Sequence, residues 1–82
     1  MTKGEYRVGL TYNPQNIDTV WLIKKAAAQL IDLIDTIHAP DGDGFDEKRN
    51  AEVARLKALA QTALEEGAMW AVKAATKPAM EE

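Results

Sequence analysis

The chain has 82 residues, enough for one small domain but too few to bury a large core without disulfides, a metal or self-association. It contains no Cys and a single His, His38, which removes disulfides and thiolate metal sites and leaves self-association as the remaining route. Ten Lys and Arg against thirteen Asp and Glu give a net charge of −3, without the basic footprint that a DNA or RNA polymer requires.

Residues 1–16 read as an N-terminal arm. The start lacks the apolar core of a signal peptide, and no later stretch is apolar for long enough to span a bilayer, so a soluble, intracellular chain is expected. Tyr6 to Tyr12 alternates loosely and is expected to be extended. Asn13-Pro14-Gln15-Asn16 has the composition of a turn. Asn16 and Asp18 are both able to cap the helix that follows.

A first helix is expected over residues 17–38. Val20, Ile23, Ala27, Leu30, Ile34 and Ile37 recur at 3-4-3-4-3 spacing, the seam of a helical bundle. Trp21, Leu22, Ile31 and Leu33 form a second apolar stripe that the same partner helix cannot also cover. Residues 39–46 carry Pro40, Gly42 and Gly44 among acids and read as a turn, with Asp46 capping the next helix.

That second helix is expected over residues 47–77, with a seam of Val53, Leu56, Ala60, Ala63, Gly67, Trp70 and Ala74. Its last twelve residues, Gly67 to Pro78, contain Lys73 and Lys77 and no acid. A surface helix shows a wide polar face, and this segment does not. The fold class implied is all-α: an antiparallel two-helix hairpin with an N-terminal arm. Two helices leave their outer stripes wet, which points to a homo-oligomer.

Candidate chemistry is sparse. Asp41 to Asp46 resembles the start of a calcium loop, with Glu52 at the twelfth position, but Asp46 stands where that loop needs Gly. A capped turn is the better reading, and no metal site is expected. With neither Ser nor Cys, and no second His to complete a relay, the chain is poorly provided for nucleophilic catalysis. Asp32 with Asp35, and Glu65 with Glu66, read as solvated stripes rather than acid–base pairs.

The cations are more informative, because they sit in apolar surroundings. Between Thr19 and Ile31 the only charges are Lys24 and Lys25. One of them must face the seam side, either snorkelling into water or meeting a phosphate. Lys73 lies among Trp70, Ala71, Val72, Ala74 and Ala75 with no acid within a turn. If enclosed, such an ammonium needs an anionic partner. Tyr6, Tyr12 and Trp21 are available to stack on a nucleobase or to staple the arm to the first helix.

The stretch from Arg55 to Pro78 resembles the second helix of the phage anti-CBASS cyclic-oligonucleotide sponges, whose hairpin is shared with an anti-Thoeris sponge. Gly67, Met69, Lys73 and Ala74 match that helix's closing pattern of Gly-x-Met-x-x-x-basic-Ala, and Ile23-Lys24 matches an Ile-Lys in the first helix. The resemblance implies a non-enzymatic, cofactor-free protein of the infected bacterial cytoplasm that sequesters cyclic oligonucleotides such as cyclic GMP-AMP. It also implies a homohexamer built as a trimer of dimers. Cyclic dinucleotides, held in pockets between protomers, would then meet Lys24, Tyr12, Arg7 and Asn13. An axial cyclic trinucleotide would meet Lys73, Thr76 and Lys77, where Lys73 keeps the charge of a frequent Arg but not its planar fork. The competing reading is an adaptor hairpin that docks onto another protein.

Overall fold

The computed structural model describes residues 1–10, 18–38 and 46–80. Residues 11–17 and 39–45 lie outside the described residues; they hold the expected turn over 13–16, all but the last residue of the one expected over 39–46, Tyr12, Asn13, Asn16 and the start of the calcium-like pattern. Three helices follow in order: α1 (Lys3–Val8), α2 (Thr19–Asp35) and α3 (Glu47–Ala75).

The extended arm expected over residues 6–12 is instead helical through Val8. The reason is local. Thr2 and Glu5 form a capping box: the Thr2 hydroxyl accepts from the Glu5 amide at 3.0 Å, and the Glu5 carboxylate accepts from the Thr2 amide at 2.7 Å. At the other end Gly9 adopts φ 71°, and the amides of Gly9 and Leu10 turn back to the carbonyls of Tyr6 and Glu5. That left-handed close is what glycine supplies cheaply.

α2 begins at Asp18, whose carboxylate accepts from the Trp21 amide at 2.8 Å. It ends at Asp35, three residues before the expected end at His38. There the Thr36 hydroxyl donates back to the Leu33 carbonyl at 2.6 Å, and the Lys57 ammonium donates to the carbonyls of Asp35 and Ile37. These bonds satisfy carbonyls a continued helix would have used. α3 starts behind Asp46, as expected, its carboxylate accepting from the Arg49 amide at 3.0 Å. It closes at Ala75, two residues before the expected end.

α2 and α3 are antiparallel. Residues near the end of α2 meet Lys57 and Gln61, while Lys24 near its start lies beside Ala68 and Val72. The seam differs from the expected one on α3. Val53, Lys57, Ala60, Gln61, Leu64, Ala68 and Val72 turn inward, whereas Leu56, Ala63, Gly67, Trp70 and Ala74 are exposed. On α2, Ile31 from the second stripe is the most buried residue, with Leu30 exposed, as is Ile37 just beyond the helix. Ala28 and Ala68 are buried at the contact beside Ile31 and Gln61, while Leu56 and Trp70 stay outside it.

The result is a single layer. Its extents are 62 × 32 × 13 Å, and the shortest matches about one helix diameter with side chains. The radius of gyration is 16.7 Å, against about 12 Å for a compact chain of this length. Only Ala28, Ile31 and Ala68 are buried apolar residues among those described. Leu22, Leu33, Leu59, Met69 and Trp70 are each more than half exposed. One layer has no second layer to cover its faces.

Candidate functional site

α1 is too short to persist alone, so its docking contacts hold it. Gly4 packs against Ala28 of α2: a Cβ built on Gly4 would fall 2.7 Å from the Ala28 carbonyl carbon and 2.8 Å from its Cα. The Gly4 amide donates to Asp32 at 2.7 Å, and the Lys3 ammonium donates to Asp35 at 2.8 Å. Lys3 also reaches the Gln61 side-chain oxygen at 3.3 Å. Gln61 is 2 % exposed, and its amide donates to the Ile31 carbonyl at 3.0 Å and to Asp35 at 3.3 Å. Asp32 and Asp35, read from the sequence as a solvated stripe, are therefore the docking points for α1. The Lys3 hydrogen bond, helped by Gln61, holds the Asp35 carboxyl below the ordinary aspartate value.

This docking brings Arg7 and Lys24 to one groove of about 400 Å³ between α1, α2 and α3. Arg7 is part-buried. Its Nε and Nη2 both donate to Glu65 Oε2, at 3.2 and 2.7 Å, and Nη2 also reaches the Thr62 hydroxyl at 3.3 Å. The guanidinium is thus held in one orientation. Lys24 donates to the Gly9 carbonyl at 3.3 Å, tying it to the end of α1. Its partner Lys25 takes the other direction, lying over the Trp21 ring at 4.8 Å. Of the two directions open to the lysine pair, Lys24 is the one turned to the groove.

Val8, Met69 and Val72 supply the apolar lining, and Thr62, Glu65 and Glu66 the rest of the polar rim. A cationic pair beside apolar surface suits a ligand with both phosphate and a flat apolar face. The sequence reading gives Thr62 no role and takes Glu65 and Glu66 as a solvated stripe. Arg7 and Glu65 are 58 positions apart, and no local pattern announces such a pair.

The residues expected at an axial site cluster at the end of α3. Lys73 lies over the Trp70 ring at 5.4 Å, and the Thr76 hydroxyl donates to the Val72 carbonyl at 2.8 Å. Lys73, Thr76 and Lys77 are all exposed in the single chain. The enclosure expected around Lys73 is not made within one copy. Tyr6, one of the expected stacking aromatics, is 77 % exposed on α1.

A second groove, of about 260 Å³, lies between the end of α2 and the first half of α3 and is apolar apart from Lys57. Among the described residues no group of three or more His, Cys, Asp and Glu is placed to hold a metal ion. None of the helices is long and apolar enough to cross a membrane, again among the described residues.

No curated protein and no solved structure matched the chain. A family model did, described as Acb2/Tad1, hairpin domain, over residues 4–76. That span runs from the glycine at the α1–α2 contact to the C-cap of α3, and so takes in α2, α3, all of α1 but Lys3, and the groove between them. The chain belongs to the Acb2/Tad1 hairpin-domain family, the anti-CBASS and anti-Thoeris sponges that its second helix resembles.

Proposed function

We propose that this chain is a phage immune-evasion protein that binds and sequesters cyclic dinucleotides in the cytoplasm of the infected bacterial host without cleaving them. The observation that carries the reading is the convergence of Arg7 and Lys24 on one groove with an apolar wall, in a chain whose family is that of the sponges. Lys24, which has no carboxylate partner among the described ion pairs, meets one phosphate, Arg7 shares its charge between Glu65 and the other, and the bases need apolar surface. Tyr12 and Asn13 complete the dinucleotide set in this reading. No Ser or Cys nucleophile is present in the chain, and in this reading the ligand is held rather than hydrolysed.

The working unit is a homohexamer, a trimer of dimers. The single layer and its exposed Leu22, Leu33, Leu59 and Trp70 support association of copies. In such an assembly Lys73, Thr76 and Lys77 from several copies gather around an axis and take a cyclic trinucleotide. Cyclic GMP-AMP is a natural candidate for the groove.

The apolar groove beside Ile34, Ile37, Val53 and Leu56 favours a second reading, an adaptor hairpin that docks onto another protein. Calorimetric titration separates the two. Lys24→Ala is expected to weaken cyclic dinucleotide binding by tenfold or more, in line with about 1.5–3 kcal/mol for a hydrogen bond to a charged group. Lys73→Ala is expected to leave that binding unchanged and to weaken only a cyclic trinucleotide. Wild-type protein that shows no heat with any cyclic di- or trinucleotide contradicts the sponge reading and leaves the adaptor.

A further inference from the structure

The two neighbouring carboxylates of the groove are not equivalent. Glu65 is compensated, because one of its oxygens takes two hydrogen bonds from Arg7. Glu66 lines the same groove, and its one contact among the described residues is a long hydrogen bond from the Trp70 indole N–H, at 3.4 Å. It is exposed and has no cationic partner among the described ion pairs. A free carboxylate in a groove for an anion repels phosphate. Its presence calls for a ligand group that gains from it.

A carboxylate offers only acceptors, two oxygens side by side. Its complement is a pair of adjacent N–H donors. Guanine presents that pair on its pairing edge, at N1 and the 2-amino group. Adenine places an acceptor next to its single amino donor, cytosine does the same, and uracil flanks its one N–H with two carbonyls. We infer that Glu66 is a specificity-determining residue that reads guanine in the bound nucleotide. This rests on the nucleotide-binding reading of the groove: Arg7 and Lys24 take phosphate, Met69 and Val72 cover the base, and Glu66 accepts from its edge.

Bidentate reading of a base edge discriminates by about tenfold or more. Titration of the full chain with cyclic di-GMP and cyclic di-AMP tests it. Wild type is expected to prefer cyclic di-GMP by about tenfold. Glu66→Gln removes a negative charge, which strengthens both ligands alike, so the ratio of the two affinities is the quantity to read. An amide pairs one donor and one acceptor, which suits adenine. The ratio is therefore expected to fall to one or to invert. A second measurement needs no variant: cyclic di-IMP lacks the 2-amino group and is expected to bind wild type more weakly than cyclic di-GMP.

Equal wild-type affinities for the two ligands overturn the inference. So does an unchanged ratio in Glu66→Gln, or cyclic di-IMP binding as tightly as cyclic di-GMP. Wild type that binds none of the three overturns the nucleotide reading itself, a distinct result.

Discussion

Ile31→Ala is expected to cost about 2–5 kcal/mol of stability, the range for emptying a well-packed apolar site. Ile31 is 0 % exposed, the largest fully buried side chain among those described. It lies where α2 meets α3, beside the Gln61 amide that donates to its carbonyl. A single core this small rarely supplies more than about 3–5 kcal/mol in total. The variant is therefore expected to be largely unfolded at room temperature, which urea titration followed by far-ultraviolet circular dichroism would report. A loss below about 1 kcal/mol would mean that the hairpin contact is not the core of the fold.

Gly4→Ala is expected to release α1. In an isolated helix this change adds about 1 kcal/mol of stability, because glycine is the poorer helix former. Here the sign reverses, since the added methyl meets the Ala28 backbone. Backbone does not yield as a flexible side chain does, and overpacking of this kind costs about 1–3 kcal/mol. Undocking a six-residue helix relieves the overlap more readily than reshaping α2. The amides of Lys3–Val8 should then lose their protection from hydrogen exchange, and Lys24 should lose the Gly9 carbonyl. Acid should weaken the same docking in the wild type. Asp35 has its pKa lowered by Lys3 and Gln61, so its contribution to docking is present above the ordinary aspartate value of about 4. That contribution is lost as pH falls through the lowered folded value. Unchanged α1 protection in Gly4→Ala, with equal or higher melting temperature, would show that Gly4 is not the pivot of docking.

The main helices were legible because their signals are local. Asp18 and Asp46 lie at the starts of long apolar-periodic stretches, and both cap as expected. α1 carries its own signals in Thr2-x-x-Glu5 and Gly9, but the loose alternation from Tyr6 to Tyr12 favours an extended reading. A six-residue helix depends on tertiary contacts for its existence, and a sequence does not display those. The α3 seam was misplaced for a related reason. Apolar periodicity selects Leu56 and Trp70, whereas the hairpin seats Lys57 and Gln61, whose polar ends find carbonyls at the end of α2. The large apolar residues left outside are the ones an assembly would cover.

The site was partly legible. Lys24 and Arg7 are brought together in one groove, while Tyr12 and Asn13 lie outside the described residues. Asp32, Asp35 and Glu65 were read as solvated charge. They became structural once α1 was placed, because each meets a residue of α1 more than twenty-five positions away. Lys73 was the most prominent cation in the sequence, yet within one copy it rests on Trp70 in the open. In the proposed hexamer its surroundings would be completed by other copies.

Native mass spectrometry with cyclic GMP-AMP tests the central claim most directly. The account predicts an assembly of six 9.0 kDa chains that carries the ligand and returns it chemically intact on denaturation. A folded particle of one 9.0 kDa chain that takes up no nucleotide, or a ligand recovered in cleaved form, would contradict it.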